Sequence, residues 1–450
     1  MLTRIDVRGR AADALRELLP RPSAPGRDVR ETVAGILERV RAEGDRAVLD
    51  LTATLDGVTL GASRVPGSEV RAALERVPAA LRRALEVAHR RIFDYHAFEA
   101  AGPPRDARTF ASDGVRVREL VRPVGRAGCY APGGRARYPS SVLMCAAPAR
   151  VAGVGEVVLC VPPGADGRVD DATLAAAAIA GVDEVYAIGG AQAVGAMAFG
   201  TETIRPVDVI VGPGNRYVAE AKRQVSGVVG IAAAFAGPSE VVVVAGPKTP
   251  AAFAAVDLAV QAEHGPDGLA WLVTWSEEKA EEVLCELRGI VARSPRRADL
   301  ESTFESGGYA CLVDDARQAL EVSNVIAPEH LELLVDDADA LVEHVTSAGA
   351  VFCGPWSPAS MGDYVAGPNH VLPTDRTARF SSALRADDFC RHLHAVTVEP
   401  EGLETLGPHV RAIAQAEGLD AHALSIAMRL DADTGADTGA DTGADTETAT

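Results

Sequence analysis

The 450-residue chain carries a formal net charge of −19, with 47% apolar and 24% charged residues. That length exceeds one ordinary core, so two or more domains are expected, and the composition is that of a soluble globular protein. The acidic balance argues against nucleic acid or an anionic membrane as the main partner, and no stretch approaches the roughly 20 unbroken apolar residues of a membrane span.

The N-terminus, "MLTRIDVRGR", has no apolar run before its charges, which favours a cytoplasmic location. Residues 1–27 read as a short amphipathic arm ending in "PRPSAPGR". The next stretch, "DVRETVAGILERVRAEGDRAVLDLTATLDG", spaces its apolar residues as a helix does, with a break at Gly44-Asp45. From about residue 155 short apolar runs alternate with Ala-rich helical segments. "EVVLCVPPG", "DEVYAIGG" and "PVDVIVGPGN" read as strands, and "DDATLAAAAIAGV", "AQAVGAMAFG" and "RYVAEAKRQV" as helices. The rhythm repeats with "SEVVVVAG", "GLAWLVTW", "GYACLVDD", "HLELLVDD" and "GAVFCG" as strands. Such alternation implies βαβ units, hence two parallel sheets in an α/β protein. A helical segment is expected over 384–430, and the Ala-Asp-Thr-Gly repeat of 431–450 has nothing to bury and reads as disordered. The seven cysteines are dispersed without a C-x-x-C pair, which suits reduced buried thiols and argues against a thiolate zinc site.

Three glycine-rich turns, 129–141, 188–195 and 211–222, follow predicted strands, where helix N-termini offer free N–H groups to phosphate. None is a G-x-G-x-x-G, and any one of them alone is more often a tight turn than a cofactor contact.

Four polar clusters stand out. Gln261 and His264 of "AVQAEHGPDG" are three apart, which on a helix places both on one face and leaves Glu263 off it. Alone, a helix-end histidine is more often a solvated cap. In "IAPEHLELLV", Pro328 suits a first helical position, putting Glu329 and His330 in a first turn whose dipole favours carboxylate and neutral imidazole. An ordinary helix start fits that segment equally well. "SMGDYVAGPNHVLPT" reads as a loop presenting Asp363, Asn369 and His370, and in "AQAEGLDAHALSIAMRL" Glu417 and His422 bracket one bend. Gln261, His264, Asp363 and His422 together form an N/O donor set without thiolate, suited to Zn²⁺ or a neighbouring divalent metal in an open site.

With these segments in place the chain resembles the histidinol dehydrogenases over about residues 30–430. The resemblance is carried by "YAPGGRARYPSSVLM", "GTETIRPVDVIVGPGNRYVAEAKR", "AGPSE", "QAEH", "APEHLEL", "GDYVAGPNHVLPT" and "AEGLDAHA". It implies two Rossmann-like domains with small terminal segments in an intertwined homodimer, and oxidation of L-histidinol through histidinal to L-histidine with two NAD⁺. The layout expected on this basis is an N-terminal arm over 1–27 and a first domain from 28–129 with 240–383. The second domain is 130–239, and the 384–430 segment completes the partner's site. Gln261, His264, Asp363 and the partner's His422 match zinc ligands, which also touch substrate. Glu329 and His330 match the acid–base pair, with His330 taking the alcohol proton and Glu329 activating water. Ser239, His330, His370 and Glu417 match substrate contacts, and Tyr130, Gln192 and Asn215 match NAD contacts.

Two segments depart from the family pattern: "AAAF" at 232–235 lacks an expected acid, and 375–383 reads "DRTARFSSA", adding Asp375 and Arg376. These leave open a related dehydrogenase of another small polar alcohol, such as a sulfonated propanediol, with Arg376 near the mouth favouring an anion. A metal- and nucleotide-binding homologue without catalysis is the third reading.

Overall fold

The computed structural model describes residues 1–20, 27–101, 108–133, 137–232, 239–265 and 268–434. Of the 431–450 segment expected to be disordered, residues 431–434 instead end the helix Asp420–Thr434, and 435–450 lie outside the described residues. The fold is mixed α/β with two six-stranded sheets, and by internal contacts the chain divides into two units. One comprises Met1–Ala100 with Pro123–Cys390, and the other Ala101–Arg122 with the chain from Arg391 onward.

Both large sheets belong to the first unit. One runs in the spatial order Thr3–Asp6, Gly308–Leu312, Leu269–Thr274, Glu240–Ala245, His330–Leu334, Ala350–Cys353, all parallel. The other runs Arg64–Val65, Glu184–Ala187, Glu156–Val161, Arg126–Tyr130, Val209–Val211, Gly230–Ile231, parallel except for the short first strand. Continuous apolar runs form the central strands because parallel sheets are covered on both faces. Alternate residues then enter opposite cores. Val241 and Val243 pack on one side of their sheet and Val242 and Val244 on the other. Val157 and Leu159 likewise face away from Val158 and Cys160. Helix starts match local chemistry: the Asp170 side chain accepts from Ala172 N–H at 3.0 Å, and Asn215 Oδ1 accepts from Tyr217 N–H at 3.0 Å.

The structure corrects the expected layout in four places. Residues 1–20 are not a separate arm, because Thr3–Asp6 pairs with Gly308–Leu312 and Val7, Leu15 and Leu19 enter that sheet's core. The segment 28–129 does not join 240–383. Val29, Val33, Leu37 and Val40 pack with Val158 and Ile210 of the other sheet and with Val218 of the helix Arg216–Val225, and Ile92 lies in the core on that sheet's opposite face. Arg126–Tyr130 is itself a strand of that sheet. Spacing shows that a helix has an apolar face but not which sheet will cover it. The chain also crosses back late, since Val371, Leu384 and Phe389 join the core containing Ile92. Finally, 384–430 is not wholly helical. Cys390–Val398 is a strand beside Val115–Pro123, which forms an antiparallel hairpin with Thr109–Ser112. Two helices follow, Pro400–Ala416 and Asp420–Thr434.

Four cysteines are buried as expected, whereas Cys285 is exposed and Cys353 and Cys390 are half-buried. Among the described residues no helix is long and apolar enough to cross a membrane.

Candidate functional site

The first unit brings eight of the predicted residues around one cavity of about 460 Å³: Asn215, Ser239, Gln261, His264, Glu329, His330, Asp363 and His370. The cavity lies against the carboxyl ends of one sheet, at Pro132 and Pro213–Asn215, and against the strand starts of the other, at Ser239, Gly268 and Glu329–His330. Its polar walls therefore come from loops and strand ends of both sheets, where backbone and side-chain groups are not consumed by ladder hydrogen bonds.

Gln261 occupies the last turn of the helix Ala251–Ala262 and is 2% exposed, while His264 follows the C-capping Glu263. Glu263 itself is exposed and does not line the cavity. The Gln261 amide donates to Asp363 Oδ2 at 3.4 Å, leaving its carbonyl oxygen as a donor of lone pairs. Asp363 lies in the short helix Ala359–Tyr364, not in a loop as the Gly/Pro content suggested. Burial opposes its ionisation, but the hydrogen bond and charge of His330 hold its carboxyl below the usual range. It is thus ionised, as a metal ligand must be.

Glu329 and His330 do not open a helix. Pro328 and the left-handed Ala327 (φ 52°) instead follow the end of the helix Ala316–Ile326, and His330 begins the strand His330–Leu334. No helix N-terminus therefore acts on this pair. The strand wins because HLELL is buried between Glu240–Ala245 and Ala350–Cys353. Neighbouring backbone orients the pair: Glu240 N–H donates to Glu329 Oε2 at 2.9 Å, and Glu240 O lies 3.2 Å from His330 Nδ1. A carbonyl can only accept, so Nδ1 carries a proton and Nε2 is the titrating nitrogen, 3.2 Å from Asp363 Oδ1. The ring stacks on Phe352 at 6.0 Å between centroids. Burial disfavours charge on this ring, yet the Glu329 and Asp363 carboxylates outweigh it and keep His330 protonated well above the usual imidazole range.

His370 is set in the opposite state. Its Nδ1 donates to Asp363 O at 2.8 Å and its Nε2 accepts from Ser141 Oγ at 3.1 Å, and burial lowers its basicity, so the ring is neutral. Asn369 supports this loop from beneath, donating to Met144 O at 2.6 Å and bonding His96 Nε2 at 3.1 Å. Its role is structural.

A second cavity, about 980 Å³, adjoins the first and shares Pro132, Gly133, Asn215 and Tyr217 with it. All three glycine-rich turns line it, and so do Tyr130, Gln192 and Asn215. Gly212 in the third turn has φ 107°, and a side chain there would run into Tyr130 O, so only glycine lets the two turns meet. Buried Lys222 donates to Gly212 O and anchors the same turn. The Tyr130 hydroxyl accepts from Gly190 N–H at 3.1 Å. Gln192 is fully buried, its Nε2 is 3.4 Å from Asp56 Oδ2, and its Oε1 meets no donor among the described residues. An orphaned amide oxygen on the wall of a large cavity fits a hydroxyl- or amide-bearing ligand.

Glu417 and His422 belong to the second unit. They flank the bend at Gly418 (φ 70°), with Glu417 capping one helix and His422 in the first turn of the next, and both are exposed. Among the described residues no group of three or more His, Cys, Asp and Glu side chains is placed to hold a metal. Gln261 falls outside that count. Gln261, His264 and Asp363 share one wall with a nitrogen, a carboxylate and an amide, which fits part of an open zinc site lacking further donors.

Sequence reasoning missed Ser141, Asp56 and Glu240, which contact His370, Gln192 and Glu329 respectively. It also missed the buried acids Asp257 and Glu332. Their shared signal was present: acids inside "AAVDLAV", "HLELLV" and "SEVVVV" interrupt otherwise apolar buried runs.

A family model described as histidinol dehydrogenase matches residues 19–430. The histidinol dehydrogenase of Gluconobacter oxydans is 48% identical over 92% of this chain and 96% of its own length. That of Parasynechococcus marenigrum is 46% identical over 90% and 92%. The crystal structure of histidinol dehydrogenase from Elizabethkingia anophelis superposes with a TM-score of 0.89 at 33% identity, covering 96% of this chain and 99% of that one. Sequence and fold agree along nearly the whole length, and the chain belongs to the histidinol dehydrogenase family.

Proposed function

We propose that this chain is a zinc-dependent, NAD⁺-linked dehydrogenase that oxidises L-histidinol through L-histidinal to L-histidine, the last step of histidine biosynthesis. One observation carries the reading. The Asp363 carboxylate joins His330 Nε2 and the Gln261 amide in a cavity that also holds His264 and adjoins the larger cavity at Asn215. Gln261, His264 and Asp363, with His422 of the partner subunit, would hold the metal. Bound zinc supplies Lewis acidity at the substrate oxygen, and NAD⁺ accepts the hydride of each oxidation.

The chain's own groups do the rest. A cation held by Asp363 would weaken that carboxylate's pull on the His330 proton, and Nε2 is the nitrogen that would accept the substrate's hydroxyl proton. Glu329, fixed by Glu240 N–H, activates water to form the hydrate that the second oxidation needs. Neutral His370 and Ser239 line the substrate cavity. Glu417 of the partner subunit suits a cationic amine on the substrate. Tyr130, Gln192 and Asn215 form the NAD side.

The added charges at 375–376 do not favour another alcohol. Neither Asp375 nor Arg376 lines the cavity, and Asp375 N–H instead donates to Glu240 Oε1 at 3.0 Å. Arg376 is thus not at the mouth, as the sequence suggested. Of the other departure, residues 233–235 lie outside the described residues.

Three outcomes follow. His330→Asn keeps its zinc content but loses about 10²–10⁴ in kcat with L-histidinol; an unchanged kcat removes His330 from the role of base. Mixing inactive His422→Ala and His330→Asn protomers restores activity if sites are shared between subunits. Subunit exchange without recovery contradicts the shared site. The third concerns Glu240, which burial, and then the charges of Asp375 and Glu329, push up to about 8 from an ordinary 4.5. The folded protein binds this proton more tightly than the unfolded chain, so stability is full below about pH 4.5 and falls as pH rises to about 8. The melting temperature of Glu240→Gln, measured against the native protein, should therefore gain steadily from pH 5 to 8 and level off above. A constant difference refutes the buried proton.

A further inference from the structure

Behind the site lie two acids that the proposed reaction does not use. Asp257 sits one turn before Gln261 on the helix Ala251–Ala262 and is 6% exposed. Glu332 is two residues beyond His330 on the strand His330–Leu334, so it shares that residue's face of the sheet, and it is fully buried. Glu332 Oε1 accepts the Ala359 N–H at 3.1 Å, at the start of the helix that carries Asp363. Glu332 Oε2 is buried and meets no donor among the described residues, and the carboxyls of Glu332 and Asp257 interact directly.

Two carboxylates cannot both stay ionised in contact away from water unless a cation compensates them. The remaining charge felt at Glu332 is that of His330, not of a Lys or Arg. A single proton placed between the two acids removes one charge and supplies the donor that Oε2 lacks. Burial raises the proton affinity of both groups, in keeping with this state.

The position of the pair gives it a task. It lies where three elements meet: the helix of Gln261, the strand of His330 and the helix of Asp363. We propose that Asp257 and Glu332 share one proton and act as positioning residues, a clasp that holds the Gln261 and Asp363 helices at the spacing zinc needs. The proposal rests on the zinc reading above for its purpose, but not for the shared proton itself.

The test compares Glu332→Gln, Glu332→Ala and Asp257→Asn with the native chain. Zinc affinity is read by chelator competition and the protonated-carboxyl C=O stretch by infrared difference spectroscopy of the metal-free protein. Glu332→Gln keeps the acceptor for Ala359 N–H and offers an N–H to Asp257, so zinc affinity should stay within a few-fold. Glu332→Ala should weaken zinc about 10–100-fold, the usual effect of losing a group that orients metal ligands. One protonated-carboxyl band, distinct from that of Glu240, should vanish in both Glu332→Gln and Asp257→Asn. Retention of that band in both variants overturns the shared proton, even if Glu332→Ala fails to fold. Native zinc affinity in a folded Glu332→Ala overturns the positioning role. If the native chain itself binds no zinc, the metal reading fails while the infrared result still decides the proton.

Discussion

Asp363 is the group on which the site depends. One buried carboxylate meets His330 through Oδ1 and Gln261 through Oδ2, and its backbone oxygen takes the proton of His370 Nδ1. Three side chains from separate elements are thereby fixed against a single residue at the end of a six-residue helix. A charge placed this deep is tolerable because donors surround it. The same arrangement separates two histidines into different states. His330, between two carboxylates, holds a proton, while His370, between a hydroxyl and a carbonyl, stays neutral.

The scaffold's part is to bring this cluster beside a space large enough for a dinucleotide. One sheet contributes glycine-rich turns at its carboxyl ends, and the other contributes polar residues at its strand starts. Asn215 shows how closely the two tasks are joined. Its side chain caps the helix Arg216–Val225 while the residue lines both cavities.

Much of this was legible in the sequence, for physical reasons. Short, β-branched apolar runs such as "EVVVVA" suit strands buried on both faces, and their alternation with helices pointed to the α/β class. The spacing of Gln261 and His264 around a helix end put both on the cavity wall and left Glu263 in solvent. What was not legible depends on tertiary competition. The start at "APEHLEL" carries both a helix signal, from Pro328, and a strand signal, from its alternating leucines, and burial between two neighbouring strands decided for the strand. The assignment of the 28–100 helices to a sheet could not be read either, because an apolar helix face fits any apolar surface. Asp257 and Glu332 were visible as acids in apolar runs, but only the fold shows that they face each other.

The claim that one site carries out both oxidations is tested most directly by product stoichiometry. Zinc-loaded protein is incubated with L-histidinol and excess NAD⁺, and histidine, histidinal and NADH are quantified. Two NADH should form for each histidine, with no free aldehyde accumulating. One NADH per histidinol consumed with histidinal released, or turnover of another alcohol but none of histidinol, would contradict that claim.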